Sequence, residues 1–277
     1  MLKSISGSYT GIRSYQQMLD VVANNIANVN TTAYKEKGVS FRELSYRALA
    51  ERRLPVSGGP AAVSLGGKGT ALCSTASLQE EGTPVYTGNQ LDLAIEGEGF
   101  FRVIRPDGSY AYTRSGTFFL DAGGNIVLPG GGRLDITLNV EDAEETASFA
   151  SLTVTPEGRV MLHKENGVHP EMSRDEILPG LAEIGSLNIY RFTNPQGLSS
   201  LGENLFVPSA NSGPPRGGRA GEEGLGLIRQ GYLESSNVDM IRQMTMLIRG
   251  QRALQASART LTAADELWAI TLQMQSG

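Results

Sequence analysis

The sequence predicts an α+β protein in which paired N- and C-terminal helices, a coiled coil, enclose a mainly antiparallel β domain of short strands. Two observations predict this class. Apolar residues recur with heptad spacing at both ends of the 277-residue chain. All 12 prolines lie between Pro55 and Pro215. Because proline interrupts helices, only the two ends are free to form long ones.

The longer heptad pattern lies in the C-terminal segment, residues 235–277. Its seam positions follow one another at spacings of four and three, which is typical of one side of a long helix. Asn237 or Ser236 is predicted to cap the start of this helix, because a short polar side chain accepts from free first-turn N–H groups. The predicted seam contains Met240, Met244, Leu247, Leu254, Leu261, Trp268 and Leu272, with polar Gln251 and Asp265 and small Ala258 between them.

The partner of this helix is predicted at the N-terminus, in residues 1–35. A helix with one apolar stripe needs a second surface against which to bury it. The alternative is that each terminal helix packs separately on a globular core. The N-terminal seam is formed by residues seven apart, Ile5, Ile12, Leu19 and Ile26, each followed three residues later by Ser8, Tyr15, Val22 or Val29.

The middle of the chain changes its period, and this change predicts the domains. Residues 36–72 contain a weakly amphipathic stretch, predicted as a short helix or an extended arm, and then a loop rich in Gly and Pro. Residues 73–230 are predicted as a β-rich outer domain, since short β-branched and aromatic runs alternate with turns. The terminal helical domain is then 1–35 with 235–277. The predicted strands are 91–95, 100–104, 110–113, 117–120, 152–155, 159–162, 187–192 and 205–207.

Charge and hydropathy exclude two classes of partner. Residues 71–180 contain 17 acidic and 7 basic residues, which argues against binding to nucleic acid. No apolar run approaches the ~20 residues that span a bilayer, so we expect the chain not to be membrane-embedded. The N-terminus also lacks the apolar core and cleavage site of a secretory signal, so we expect no cleavable signal peptide.

Four arginines on the C-terminal helix fall off the predicted seam: Arg242, Arg249, Arg252 and Arg259. The simpler interpretation is a solvated basic flank that keeps the helix soluble. The sharper interpretation is a docking strip for acidic surfaces of neighbouring subunits.

No motif predicts a catalytic residue, a metal or a cofactor. His163 and His169 are the only histidines; they are predicted in exposed loops, and with one cysteine they are too few for a zinc site. Cys73 is predicted to be a buried small hydrophobe. Glu96 and Glu98 are predicted to form a solvated face, because the acids of a glycosidase normally come from separate elements across a cleft.

ANNIANVNTTAYK at 23–35 resembles the N-terminal signature of the bacterial flagellar basal-body rod protein family, which is related to hook protein. Further motifs extend this resemblance along nearly the whole chain. IEGEGFFRV at 95–103, followed by YTRSGTF, resembles its central β domain. NPQGLSSLGENLF at 194–206 and GYLESSNVDM at 231–240 are also similar. The residues of these motifs that we single out are Asn24, Asn25, Asn28, Gly97, Gly99, Phe100, Phe101 and Asn237.

Two positions depart from the family pattern. Ala33 stands where a glycine is usual, and Leu254 with Gln255 replaces a common pair of an aromatic and an acidic residue. The segment 41–69 is similar to the extra stretch that marks distal rod proteins against hook protein. The resemblance is therefore closest to the distal rod type.

The resemblance implies a structural subunit that self-assembles into a hollow helical drive shaft and transmits torque to the hook. It implies further copies of the chain, other flagellar rod and hook proteins and the flagellar type III export apparatus as partners, no cofactor, and a place in the basal-body rod that crosses the cell envelope. The structural alternatives are a hook-type or a proximal rod subunit. The enzymatic alternative is a cell-wall hydrolase, which would need a convergent acid/base pair that the sequence does not predict.

Overall fold

The computed structural model describes residues 2–43, 47–48, 65–66, 70–122, 125–138, 152–163, 181–222 and 224–276. It confirms the α+β class, because two terminal helices flank a chain of short strands that all pair antiparallel. The helices are α1 (Leu2–Ala27) and α2 (Met240–Ser276). The described strands are β1 (Lys37–Glu43), β2 (Arg47–Ala48), β3 (Leu65–Gly66), β4 (Thr70–Ser77), β5 (Pro84–Tyr86), β6 (Leu93–Glu96), β7 (Phe100–Ile104), β8 (Tyr110–Thr113), β9 (Phe119–Leu120), β10 (Ile126–Val127), β11 (Arg133–Leu134), β12 (Ile136–Leu138), β13 (Leu152–Val154), β14 (Arg159–His163), β15 (Leu181–Arg191), β16 (Ser199–Gly202), β17 (Leu205–Val207), β18 (Arg216–Arg219), β19 (Leu227–Gln230) and β20 (Tyr232–Glu234).

The chain divides into two compact units. The helical unit comprises Met1–Val29, Glu36–Leu78 and Val238–Gly277, and the β unit comprises Asn30–Lys35 and Gln79–Asn237. Both ends of the chain therefore belong to one unit, and the other unit is inserted between them.

In the helical unit, part of the segment that the sequence left as a short helix or an arm is extended. Strand β1 pairs antiparallel with β4, from Lys37 opposite Ser77 to Glu43 opposite Thr70. The extended alternative is therefore correct for 37–43, whereas Leu44 and Leu49, two apolar residues of the amphipathic stretch, lie outside the described residues. The predicted burial of Cys73 is wrong: it lies exposed on β4, in a run of three exposed residues.

The first turn of α2 is capped two or three residues later than predicted. Asp239 Oδ1 accepts hydrogen bonds from the backbone N–H groups of Ile241 at 2.9 Å and Arg242 at 3.2 Å. These are the free donors that an N-cap side chain satisfies. Asn237, which the sequence offered as a cap, instead donates from Nδ2 to the carbonyl of Glu80 at 3.2 Å.

The β unit is built around one large antiparallel sheet. Its main path runs β13-β14-β15-β7-β11-β10-β9; β8 pairs with β7 and β17, and β12 and β18 both pair with β15. Two further ladders stand apart from this sheet, β6 with β19 and β5 with β20.

Strand β7 supplies residues to two cores. Phe101 packs with Phe118 and Ile189 in the larger apolar cluster, whereas its neighbour Phe100 packs with Tyr112, among others, in an aromatic cluster. Successive side chains on a strand point to opposite faces. The Phe-Phe pair of the motif at 95–103 therefore anchors both faces of the sheet.

Most strand predictions are confirmed, and the exceptions have physical causes. The strands at 100–104, 110–113 and 205–207 have the predicted bounds. Strand β18 was not predicted, because its sequence is Arg-Gly-Gly-Arg; a Cβ at Gly217 would lie 2.6 Å from the Tyr190 ring, so this strand has glycine where the ring covers it. His163 ends strand β14 opposite Leu181, so its predicted loop position is wrong. His169 lies outside the described residues.

Candidate functional site

The two terminal helices lie antiparallel against each other. Ser8 Oγ is 3.1 Å from Thr260 Oγ1. A Cβ at Gly11 would lie 3.6 Å from Ser257 Oγ, and a Cβ at Gly250 would lie 3.0 Å from Met18 Cε. Further along, Asn25 Nδ2 donates to Gln243 Oε1 at 3.2 Å. Each step of seven residues along α1, from Gly11 to Met18 to Asn25, is matched by a step of seven back along α2.

The N-terminal seam residues are largely covered. Val22 is buried, and six other predicted positions are half-buried: Ser8, Ile12, Tyr15, Leu19, Ile26 and Val29. Met18, which was not predicted as a seam residue, is also half-buried. The side chain of Ile5 lies outside the described residues.

The C-terminal seam matches the prediction at some positions and departs from it at others. Leu247, Leu254 and Leu261 are half-buried as expected, while Met240, Met244 and Trp268 are exposed and the side chain of Leu272 lies outside the described residues. The residues that approach α1 are Gln243, Gly250 and Ser257, one position before the predicted Met244, Gln251 and Ala258. The facing residues are shifted by one position because Gly250 has no side chain and lets the two helices approach closely. The long side chain of Gln251 would not allow this approach.

The side of α2 away from α1 carries exposed apolar residues. Near its start Ile241 is 79 % exposed and Ile248 50 % exposed, with Met244 between them on the same side. Near its end Leu267, Ile270 and Met274 are also exposed. Such a row of large apolar side chains on a soluble surface is typical of a site that contacts another protein.

The four arginines of α2 lie exposed along the same helix. Arg242, Arg249, Arg252 and Arg259 form no ion pair with any residue in the described part of the chain. Both interpretations offered by the sequence, a solvated flank or a docking strip, remain compatible with this exposure.

A buried polar cluster closes the end of the helix pair. Asn25 Oδ1 accepts from the Lys37 backbone N–H at 3.0 Å, and Asn25 Nδ2 donates to the Lys37 carbonyl at 3.1 Å. Gln243 Nε2 donates to Glu36 Oε1 at 2.9 Å. Asn25, Glu36 and Gln243 are all buried. Asn25 was noted only as a motif residue, and neither Glu36 nor Gln243 was identified from the sequence.

The other motif asparagines are local structural residues. Asn28 Nδ2 donates to the carbonyl of Asn24 at 2.8 Å, just where α1 ends. A side chain that bonds one of the last carbonyls of a helix satisfies an acceptor that the helix itself leaves free.

In the β unit, the glycines of the IEGEGFF motif are required by close contacts. Gly97 has φ +105° and Gly99 has φ +147°, conformations that residues with a Cβ rarely adopt. A Cβ at Gly99 would lie 2.1 Å from Ile189 Cγ2, and one at Gly97 would lie 2.9 Å from the Cα of Gly226. These glycines therefore shape the backbone before β7.

A buried ion cluster lies where the chain enters and leaves the β unit. Lys35 Nζ is 2.6 Å from Glu234 Oε1, and Arg114 Nη1 is 3.3 Å from Glu234 Oε2. The side chains of Lys35 and Glu234 are 2 % exposed and that of Arg114 is 5 % exposed. Burial lowers the pKa of Lys35, and the Glu234 carboxylate opposes that shift.

Backbone groups complete this cluster. The Gly82 N–H donates to Glu234 Oε1 at 2.9 Å, Lys35 Nζ donates to the Glu80 carbonyl at 2.6 Å, and Arg114 Nη2 donates to the Gly97 carbonyl at 2.7 Å. Sequence reasoning did not identify these three ionic residues, although each lies inside a motif that it quoted: AYK, YTRSGTF and GYLES.

Ala33, where the family usually has glycine, has a left-handed backbone conformation. Its φ is +55°, and it is 1 % exposed. Its N–H donates to the carbonyl of Glu234 at 2.9 Å, which holds the left-handed turn against the ion cluster. A glycine adopts this conformation without a steric cost, which explains the family preference.

The two acidic side chains of the IEGEGFF motif, Glu96 and Glu98, do not point toward a common site. Glu96 Oε2 lies 2.5 Å from Arg229 Nε, whereas Glu98 Oε2 lies 3.8 Å from Arg191 Nη1. All four side chains are more than a third exposed. Among the described residues no three His, Cys, Asp or Glu side chains form a group that could hold a metal ion. Neither described helix contains a stretch long and apolar enough to cross a membrane.

An α+β chain whose ends pair as helices and leave apolar residues exposed has the build of a structural protein that associates with further chains. Comparison with known families agrees. Residues 13–35 match the flagella basal body rod protein family, residues 94–162 match the D1 domain of flagellar hook protein FlgE/F/G, and residues 229–274 match the C-terminal region of flagellar basal body rod FlgEFG proteins.

Similar proteins cover nearly the whole chain. The flagellar basal-body rod protein FlgG of Borreliella burgdorferi is 34 % identical over 273 residues, covering 98 % of this chain and 97 % of the relative. FlgG of Agrobacterium fabrum is 34 % identical, covering 97 % and 98 %, and FlgG of Bacillus subtilis is 32 % identical, covering 96 % and 97 %. The chain belongs to the flagellar basal-body rod protein family, of the distal rod type. It is a structural subunit of the flagellar rod, in the basal body.

Proposed function

We propose that this rod subunit self-assembles through its terminal helices into a hollow helical drive shaft that transmits torque to the hook. The observation that carries the proposal is the exposed apolar side of α2, because Ile241 and Ile248 stay uncovered after α2 has packed on α1. Their burial against a second copy would stabilise a polymer by removing apolar area from water.

We propose that the terminal helices form a coiled coil and that residues 1–35 with 235–277 are the assembly domain. The repeat of seven between contacts along both helices supports this. In the same proposal residues 36–72 connect the helices to the outer β domain at 73–230. The predicted seam residues take part in assembly in two ways: Leu247, Leu254 and Leu261 by holding the helix pair, and the exposed Met240, Met244 and Trp268 by contacting neighbouring copies.

The partners in this proposal are further copies of the chain, other rod and hook proteins and the flagellar type III export apparatus. We propose that the chain catalyses no reaction. The divergent partners of Glu96 and Glu98 support this over the hydrolase alternative. The similarity to FlgG proteins over nearly their full length supports the distal rod over the hook-type and proximal alternatives.

The proposal is tested by adding charge to the exposed apolar side of α2 in the full-length chain. The double variant Ile241→Glu/Ile248→Glu is compared with Gln255→Glu, which adds a carboxylate at an exposed position of the same helix without removing an apolar side chain. Negative-stain microscopy of concentrated protein should show tubes for the wild type and for Gln255→Glu, and none for the double variant.

Motility of cells that carry each variant in place of the natural gene gives a second readout. We expect swimming cells with Gln255→Glu and non-swimming cells with the double variant at equal protein levels. Tubes and normal swimming with the double variant would show that this side of α2 is not an assembly surface.

A further inference from the structure

The contacts between α1 and α2 repeat every seven residues, and this repeat leaves the alignment of the helices open. Ile12, Leu19 and Ile26 on α1 recur with heptad spacing, as do Leu247, Leu254 and Leu261 on α2. If α2 slides by one heptad, one leucine replaces another, and much of the apolar contact is retained. Heptad helix pairs with uniform seams populate alternative registers for this reason. Some other feature must therefore select the register.

We propose that Asn25, Glu36 and Gln243 form a polar lock that fixes the register of α1 against α2. These three residues are 1 %, 5 % and 0 % exposed. Asn25 Nδ2 donates to Gln243 Oε1 at 3.2 Å, and Gln243 Nε2 donates to Glu36 Oε1 at 2.9 Å. One amide on α2 thus uses both its donor and its acceptor on groups outside α2.

The lock resists sliding because two of its members do not belong to α2. Asn25 is held to the backbone of Lys37 by a pair of hydrogen bonds, at 3.0 Å and 3.1 Å. Glu36 precedes β1, and its carbonyl accepts from the N–H of Leu78 at 2.8 Å. Only Gln243 travels with α2, so its two hydrogen bonds exist in one alignment.

A slide of α2 by one heptad would bury Gln243 against the wrong residue. In one direction Gln243 would face Met18, whose side chain cannot replace the amide and carboxyl partners. In the other direction Asn25 would face Gly250, which has no side chain to bond. Burying an amide without its hydrogen bonds is unfavourable, so the polar lock penalises both slipped registers while the leucines do not distinguish them.

The inference concerns the single chain and stands apart from the proposed assembly function. It is tested by disulfide trapping in the full-length protein, in a Cys73→Ser background and at a dilution where sedimentation shows monomer. The pair Ser8→Cys/Thr260→Cys reports the native register, in which the two hydroxyl oxygens are 3.1 Å apart. The pair Ser8→Cys/Ala253→Cys reports α2 shifted by one heptad in the direction that brings Gln243 opposite Met18.

Each pair is combined with Gln243→Leu, which has a similar volume and no hydrogen-bonding groups, and with Gln251→Leu, the same change at an exposed position. We expect the slipped disulfide to rise at least about tenfold over the native one with Gln243→Leu, and not to rise with Gln251→Leu. Gly250 is retained in every variant, so its fit against α1 does not contribute to the difference.

If Gln243→Leu does not fold, as judged by circular dichroism, Gln243→Asn replaces it, because the shorter amide remains polar but cannot reach both partners. An increase of the slipped disulfide with Gln243→Asn supports the lock. A slipped fraction that stays at the wild-type level in every folded Gln243 variant overturns it. Equal trapping of both pairs in the wild type also overturns it, since the register would then not be fixed at all.

Discussion

Replacing Glu234 by glutamine should destabilise the β unit strongly. Glu234 accepts from Lys35 at 2.6 Å and lies 3.3 Å from Arg114, and all three side chains are at most 5 % exposed. The remaining acidic side chain near Arg114 among the described residues is Glu81, at 3.9 Å and 49 % exposed. Glu234→Gln retains the side-chain volume and leaves two buried cations without their shared anion.

Breaking a buried ion pair by removing one partner typically costs about 3–5 kcal/mol. A domain is stable by only about 5–15 kcal/mol, so the loss would be a large share of the total. The free energy of unfolding is measured by urea denaturation of the full-length protein followed by circular dichroism. We expect a midpoint far below that of the wild type, with the same native spectrum before unfolding.

The matched control is Glu96→Gln, which makes the same chemical change in an exposed ion pair. Glu96 lies 2.5 Å from Arg229, and the two side chains are 47 % and 45 % exposed. Exposed pairs contribute about 0–1 kcal/mol, so this variant should unfold near the wild-type midpoint. If Glu234→Gln and Glu96→Gln lose the same small amount, burial does not govern the strength of this cluster, and the reasoning is refuted.

Three further predictions concern single positions. Ala33→Gly should leave the free energy of unfolding within about 1 kcal/mol of the wild type or raise it. Removing the steric strain of a left-handed alanine, about 1–2 kcal/mol, offsets the loss of a buried methyl group, about 0.8 kcal/mol. A decrease of more than about 2 kcal/mol, measured by thermal unfolding, would contradict this. Burial lowers the pKa of Lys35 in the folded chain below its ordinary 10.5. Between the lowered pKa and 10.5 the unfolded chain therefore binds more protons than the folded chain, and the wild type gains stability as pH rises. Denaturation at several pH values should show this gain, and Lys35→Met should lack it. Leu254→Ala should cost about 2 kcal/mol and abolish swimming, whereas Arg252→Ala should preserve both stability and swimming; the opposite pattern would mean that the contact face of α2 is misassigned.

The helices were predictable from the sequence because their signal is local and repeated. Both ends have heptad spacing without proline, and the structure has helices at Leu2–Ala27 and Met240–Ser276. The face of α2 was less predictable. Hydrophobicity favoured Met244 over Gln243 as a seam residue, but close approach at Gly250 turns Gln243 inward, where Asn25 and Glu36 supply hydrogen bonds. A pattern of apolar residues does not contain that information.

The ion cluster was not predictable because its members come together only through the fold. Lys35, Arg114 and Glu234 are separated by long stretches of sequence, and charged residues in motifs are more often exposed. Ala33 was different: its departure from the family glycine marked a position where backbone conformation matters, and its φ of +55° is the physical reason. The glycine preference at position 33 could thus be explained from the local backbone conformation, whereas the buried salt bridges could be identified only from the folded structure.

The meeting of both chain ends in one unit has a consequence for the order of folding. Asn25 and Gln243 are 218 residues apart in sequence, so closing that contact in an unfolded chain restricts a very long loop. Within the β unit, the Asn237 N–H donates to the Tyr34 carbonyl at 3.4 Å, which brings the entry and exit of that unit together. Once the β unit has formed, the loop shortens to about fifteen flexible residues, and the entropic cost of closure falls by about 2 kcal/mol. We therefore expect the β unit to fold first and α1 to remain unpaired until α2 packs against it.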